Sequence, residues 1–349
     1  MRRARARRWP PILDGARGLT EPPLVLAGGT TVRIAILDDY QRAALEMADW
    51  SPLEGRAEIT VFSDHLSDED ALAERLAPFD VLCVMRERTP LRRGLIERLP
   101  RLKLIASTGP VNAAIDTAAA AERGVEIRHT GYASTPTVEM TWALILASQR
   151  HLAREAASVR AGGWQQTVGN DLRGRTLGLV GLGNIGGEVA RIGGAFGMRV
   201  IGWSQNLTPE RAEAVGAAAV PKEVLLAEAD IVSVHLLLSR RTRGLIDAAA
   251  LAAMKPSAWL INTSRGAIVD QPALIEALRH RRIAGLAVDV YDEEPLPADH
   301  PLRGMDNVLA TPHLGYVTAD LYRTFYGDSV RNILAWLDLH APGPSPGRP

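Results

Sequence analysis

Residues 176–190 read TLGLVGLGNIGGEVA, and the order of residue types in this stretch decides the fold. Thr176 to Val180 is a short apolar run of strand character. Glycines follow at 181, 183 and 186, and Glu188, Val189 and Ala190 then open a helical pattern. A strand, a glycine-rich turn and a helix in that order are what a dinucleotide-binding unit needs. Gly181 permits the tight turn, Gly183 lets backbone approach a pyrophosphate, and Gly186 lets helix and strand pack closely. Together with Asn184 and Ile185 they offer phosphate oxygens the N–H groups and the positive dipole end of a helix N-terminus. A bare GxGxxG marks turns as readily as ligands, so the flanking strand and helix carry its meaning.

Outward from this turn, short aliphatic and β-branched runs alternate with helical stretches. One series comprises Val32 to Leu37, Glu58 to Ser63, Asp80 to Met85, Leu102 to Thr108 and Val125 to Thr130. A second comprises Thr176 to Gly181, Met198 to Trp203, Asp230 to His235, Ser257 to Thr263, Ala284 to Val290 and Asn307 to Ala310. Alternation of this kind predicts an α/β fold with two doubly wound parallel-sheet domains. Between the series, Pro136 to Arg154 reads as one long buried helix with Thr135 as its N-cap. Val317 to Leu339 carries apolar residues at helical spacing, which predicts an amphipathic C-terminal helix.

The chain has 349 residues, well beyond the ~150 of a typical single domain, so two cores are expected. Forty basic and forty acidic side chains cancel, so no global field draws the protein to nucleic acid or to an anionic membrane. The expected partners are small molecules. A single cysteine, Cys83, cannot form an intrachain disulfide, and no apolar run reaches the ~18 residues of a membrane helix, so a soluble, cytoplasmic protein is expected. Residues 1–30 put Arg at 2, 3, 5, 7 and 8 ahead of Trp9, Pro10 and Pro11, without the apolar core of a signal peptide. They read as a disordered extension or a start codon set too early. The Pro- and Gly-rich tail 341–349 is also expected to be disordered.

In a doubly wound sheet, ligands bind beyond the carboxyl ends of the strands. Three polar segments sit there in the second series: Asn262-Thr263-Ser264-Arg265-Gly266, Asp289 through Pro295, and Thr311-Pro312-His313. His235 ends another strand at the same crevice. The remaining histidines, 65, 129, 151, 280, 300 and 340, look like ordinary surface or helix positions, and no metal site is expected from them. The strand after the glycine-rich turn ends in Ser204-Gln205-Asn206, with Ser204 where a carboxylate commonly holds the 2'-hydroxyl of NAD. No arginine adjoins it to invite a 2'-phosphate, so NAD is expected and NADP stays open.

These segments carry a resemblance. Through the GLGNIG turn, MKPSAWLINTSRGAIVD, AGLAVDVYDEEPL and NVLATPHLGYVT, the chain resembles the D-isomer-specific 2-hydroxyacid dehydrogenase family from about residue 32 to about residue 338. Arg265 precedes Glu294 by 29 residues and Glu294 precedes His313 by 19, an ordered set more specific than any single motif. The resemblance implies hydride transfer between a nicotinamide cofactor and a D-2-hydroxy or 2-oxo acid. It implies that Arg265 binds the substrate carboxylate and oxo group, that His313 is the acid/base, and that Glu294 hydrogen-bonds His313. The chemistry suits them: the developing alkoxide needs a proton donor, a carboxylate stabilises an imidazolium, and a guanidinium is a permanent fork for a carboxylate.

The resemblance also implies that Asp289 orients the nicotinamide amide, and their places at strand ends facing the crevice make Thr263 and His235 expected cofactor contacts. The resemblance assigns residues 31–132 and 317–340 to a flavodoxin-like substrate domain and 133–316 to an inserted Rossmann domain. Substrate contacts are expected from Gly109, Val111 and Asn112, in a loop where Pro110 offers no N–H, and from Arg86. A homodimer built on the helix after Pro136 is expected. Two other activities fit the same residues: an NAD-sensing corepressor-like protein, and a phosphite-type dehydrogenase.

Overall fold

The computed structural model describes residues 24–26 and 32–340. The chain divides into one unit of residues 1–131 with 324–349, and a second unit of residues 132–323. The divisions expected from the sequence lie at 132/133 and 316/317. The second observed division falls inside the terminal helix, Ala319–His340.

In the first unit six strands form one sheet: β1 (Leu24–Leu26), β2 (Val32–Ile36), β3 (Ala57–Val61), β4 (Val81–Val84), β5 (Leu104–Ser107) and β6 (Glu126–His129). Their order is β1-β3-β2-β4-β5-β6. Strands β2 to β6 are parallel, and β1 runs antiparallel along β3 with Leu24 opposite Val61. This edge strand corrects the expectation of disorder through residue 30. An extended Leu-Val-Leu run after two prolines completes backbone hydrogen bonds that β3 would otherwise leave open at the sheet edge. The other residues of that segment, and the tail 341–349, lie outside the described residues. A core of Leu37, Leu72, Leu76, Leu82, Leu91 and Ile105 packs on one face of the sheet. His65, expected at the surface, has a side chain only 10% exposed, and its Nδ1 lies 2.9 Å from the buried Asp38 carboxylate.

The second unit contains seven parallel strands: β7 (Thr176–Val180), β8 (Arg199–Trp203), β9 (Ala218–Ala219), β10 (Ile231–Val234), β11 (Trp259–Asn262), β12 (Gly285–Val288) and β13 (Val308–Ala310). They are ordered β13-β12-β11-β10-β7-β8-β9. Alternate residues of each central strand enter different cores. Leu260, Leu286 and Val288 join one cluster, while Trp259, Ile261 and Ala287 join the other, so helices cover both faces. The order of connection reverses between β7 and β10, which makes their carboxyl ends the topological switch point where such sheets bind ligands.

The expected single helix over 136–154 is two helices, Thr135–Gln149 and Leu152–Arg160. His151 separates them in the left-handed region at φ 50°, its ring 6.4 Å from that of Trp259. Thr135 is itself helical, and the preceding Ser134 makes no side-chain capping bond. No described helix is long and apolar enough to cross a membrane.

Candidate active site

The glycine-rich turn leaves β7 at the switch point. Gly181 has φ 106°, and a Cβ there would lie 2.5 Å from the carbonyl oxygen of His235, which follows β10. A Cβ on Gly186 would come within 2.1 Å of the Gly181 carbonyl oxygen. Both positions therefore admit only hydrogen. Gly183 is different: no atom lies within 4 Å of where its Cβ would be, so this position opens outward. It precedes the helix Asn184–Ala195, whose first N–H groups have no acceptor within the helix itself. A close-packed turn with one open glycine at a helix N-terminus is a cradle that fits a dinucleotide pyrophosphate. At the end of β8, Ser204 is half-buried while Gln205 and Asn206 are exposed, in a turn closed by Leu207 N–H on the Ser204 carbonyl at 3.1 Å. Burial pushes the His235 imidazole down to about 4, and its Nε2 sits 2.9 Å from Ser233 Oγ, so a neutral ring backs the turn at ordinary pH.

The three expected catalytic residues follow the adjacent strands β11, β12 and β13 at the same carboxyl edge. Asn262 shapes the Arg265 loop: its Oδ1 accepts from Ser264 N–H at 3.0 Å and its Nδ2 donates to the Arg265 carbonyl at 3.0 Å. Ser264 Oγ donates to the Leu236 carbonyl, tying this loop to the one after β10. The Arg265 guanidinium donates to the Ser264 carbonyl at 2.7 Å.

Glu294 and His313 meet directly. Glu294 Oε2 is 2.6 Å from His313 Nδ1, with side chains 29% and 22% exposed. The second carboxylate oxygen, Oε1, accepts the Tyr291 N–H at 2.8 Å. A carboxylate only accepts, so Nδ1 carries the proton and Nε2 is the ring atom left for proton exchange. His313 itself sits at φ 54°, a conformation L residues seldom adopt and one that cooperating contacts must hold.

Asp289 supplies most of that hold. Fully buried, it accepts from Thr311 Oγ1 at 2.6 Å, Leu314 N–H at 2.8 Å and Gly315 N–H at 2.7 Å. Burial raises its carboxyl above the usual range, while the Thr311 hydroxyl, the two N–H groups and the neighbouring His313 oppose that rise. Both carboxylate oxygens are committed to the loop carrying His313, whereas the resemblance gives Asp289 to the nicotinamide amide. Thr263, likewise expected at the cofactor, is buried with its hydroxyl 2.8 Å from that of Thr141.

The substrate-contact candidates lie in the first unit. Gly109 N–H donates to Thr130 Oγ1 at 2.7 Å, and Pro110 has no N–H, so neither group is available to an anion. A Cβ at Gly109 would lie 1.8 Å from Arg86 Nη1, which also donates to the Thr108 carbonyl at 3.1 Å. Asn112 is buried, with Nδ2 on the Arg86 carbonyl at 2.6 Å and Oδ1 taking Ala114 N–H at 2.9 Å. Its amide serves the loop. Val111, 69% exposed, projects from it.

Tyr291, Thr311 and Asn262 stand in the polar segments singled out from the sequence, but their roles are not apparent there. Tyr291 and Thr311 act through contacts between loops that no single segment displays, and Asn262 through a local turn whose bonds residue type alone does not fix.

Residues 142–315 match the model of the D-isomer specific 2-hydroxyacid dehydrogenase NAD binding domain. Over 258 residues the chain is 40% identical to the glyoxylate reductase of Aeropyrum pernix, covering 71% of this chain and 77% of that one. It is 36% identical to the hydroxypyruvate reductase of Thermotoga maritima over 314 residues, 88% of this chain and 99% of that one. Among solved structures, phosphoglycerate oxidoreductase from Vibrio cholerae O395 superposes with a TM-score of 0.84 at 38% identity, covering 88% of this chain and all of that one.

Proposed function

This chain belongs to the D-isomer specific 2-hydroxyacid dehydrogenase family, and on that premise we propose that Arg265, Glu294 and His313 interconvert a 2-oxo acid and its D-2-hydroxy acid. NAD(H) is the cofactor, held by Gly181, Gly183, Asn184, Ile185 and Gly186. When bound, it supplies the hydride in reduction and takes it in oxidation.

The residues do the rest. Arg265 binds the substrate carboxylate with its guanidinium fork and directs the 2-oxo carbon toward the cofactor. His313 Nε2 gives its proton to the oxygen as charge develops there, and takes a proton from the hydroxyl in the reverse direction. Glu294 fixes the ring orientation through Nδ1 and stabilises the imidazolium. The 2.6 Å contact between Glu294 and His313 is the observation that carries this assignment.

The names of the relatives point to a small or phosphorylated substrate, with glyoxylate, hydroxypyruvate and the 2-oxo acid formed by oxidation of 3-phosphoglycerate as the class to test. The assay is loss of NADH absorbance across a panel of 2-oxo acids, with NADPH in a parallel arm and phosphite in the oxidative direction. Turnover of at least one oxo acid is expected. Because Ser204, Gln205 and Asn206 put neither a carboxylate nor a guanidinium at the ribose, NADH and NADPH should differ in kcat/KM by less than about a thousandfold, short of the several kcal/mol a charged discriminator supplies. Cofactor binding without turnover of any acid would instead support a sensor, and oxidation of phosphite alone would move the substrate class.

The protein is a homodimer in this proposal. Leu152, Val159, Trp164 and Val168 are exposed within 17 residues of the second unit, apolar surface that a second copy would cover. Replacing Trp164 and Val168 by glutamate should yield monomers in sedimentation, and a wild type that sediments as a monomer contradicts the proposal.

A further inference from the structure

We propose that Tyr291 is a positioning residue that holds the Arg265, Glu294 and His313 loops in one register, its hydroxyl setting the imidazole for proton delivery. The inference rests on the acid–base roles given to Glu294 and His313 above. Three contacts carry it, one to each loop.

The first is the phenol. Tyr291 Oη donates to the Thr311 carbonyl at 2.9 Å. That same oxygen accepts the backbone N–H of His313 at 3.1 Å. The carbonyl is thus gripped from two sides, and the grip closes the turn in which His313 holds its left-handed backbone at φ 54°. Asp289 secures the flanks of this turn through Thr311 Oγ1, Leu314 and Gly315, but none of its bonds reaches the Thr311 carbonyl.

The second contact is the main chain of the same residue. Tyr291 N–H donates to Glu294 Oε1 at 2.8 Å, while Glu294 Oε2 meets His313 Nδ1 at 2.6 Å. One residue therefore orients both ends of the Glu294–His313 pair. The third is steric: a Cβ on Gly266 would lie 2.2 Å from the Tyr291 carbonyl carbon and 2.5 Å from Asp292 N. The residue after Arg265 is seated on Tyr291 backbone, so displacement of one loop displaces the other.

The ring itself lines a cavity of about 20 Å³ with Asn262, Gly266, Val288, Val290 and Leu302, room for about one water molecule. Burial, with Asp289 and Glu294 nearby, raises the phenol well above its ordinary value, so it remains a donor at working pH. With its proton committed to Thr311, Tyr291 acts on the reaction only through His313 and Glu294.

Tyr291→Phe keeps the ring and deletes only the hydroxyl. In the full-length protein, kcat for 2-oxo acid reduction should fall about tenfold, the scale of one lost hydrogen bond, with substrate KM and NADH affinity unchanged. The solvent deuterium isotope effect on kcat should rise as proton delivery becomes more limiting. Without any turnover, the downfield Nδ1–H resonance of His313, identified by its absence in His313→Ala, should broaden or move upfield. If rate, isotope effect and resonance all stay as in the wild type while His313→Ala is inactive, Tyr291 is packing alone and this inference falls while the acid–base assignment stands. An active His313→Ala overturns that assignment and this inference with it. A parallel loss of NADH affinity in Tyr291→Phe also contradicts positioning, since it would report collapse of the loops.

Discussion

His313→Ala should lower kcat/KM for the best 2-oxo acid by at least about 100-fold, the low end for a positioned acid–base group and equivalent to ~2.7 kcal/mol of transition-state stabilisation. The loss should appear in kcat rather than in NADH affinity, because the imidazole hangs from the loop after β13 while the glycine-rich turn leaves β7. The loop should keep its shape in the variant, because it is held by the Asp289 carboxylate and the Tyr291 hydroxyl, neither of which uses the imidazole. Steady-state rates with NADH titrations on the variant check both parts. Near-normal kcat/KM would remove His313 from the chemistry.

Arg265→Ala should cost at least about 100-fold as well, through a different constant. A guanidinium that grips a carboxylate in both ground and transition states contributes to binding, so substrate KM should rise steeply. Orientation of the 2-oxo carbon is lost with it, and misplacement by about 1 Å can itself cost 100-fold in rate. Arg265→Lys restores the charge without the planar fork and should recover only part of the loss. Equal KM values for wild type and Arg265→Ala would show that the carboxylate is bound elsewhere.

The segments that carry these residues are legible in the sequence because each is short and continuous. A strand followed by GLGNIG and a helical pattern specifies a turn whose glycines at 181 and 186 have no room for a side chain. Likewise SRG, EEP and TPH each end a strand signal, and the structure places those strands side by side with Glu294 on His313. What escapes the sequence is what depends on neighbours distant along the chain. No glycine or proline announces the break at His151, where a histidine takes the left-handed conformation that glycine usually supplies. Three residues at Leu24–Leu26 are too few for a periodic signal, and they are a strand only because β3 offers an open edge.

The same limit governs the polar residues. Asp289 at a strand end suits a cofactor contact, and in the structure its Oδ1 accepts from Thr311 and Leu314 and its Oδ2 from Gly315, so it also holds the loop of His313. Asn112 suits a ligand contact until its amide is found closing a loop with Arg86 and Ala114. Tyr291 stands inside a motif already singled out for its acids, and only the carbonyl of Thr311 reveals the use of its hydroxyl. In each case residue type states what bonds are available, and tertiary structure decides which group takes them.

The central claim is that His313, tuned in orientation by Glu294, protonates the oxygen of a 2-oxo acid bound by Arg265 as hydride reaches its carbon. Deuterium NMR of the product formed from NADH dideuterated at the nicotinamide C4 tests this most directly. The label should appear at C2 of a D-2-hydroxy acid with wild type, and His313→Ala should form that labelled product at least about 100-fold more slowly. Absence of label at C2 with every oxo acid of the panel, or label in the L-product, would contradict it.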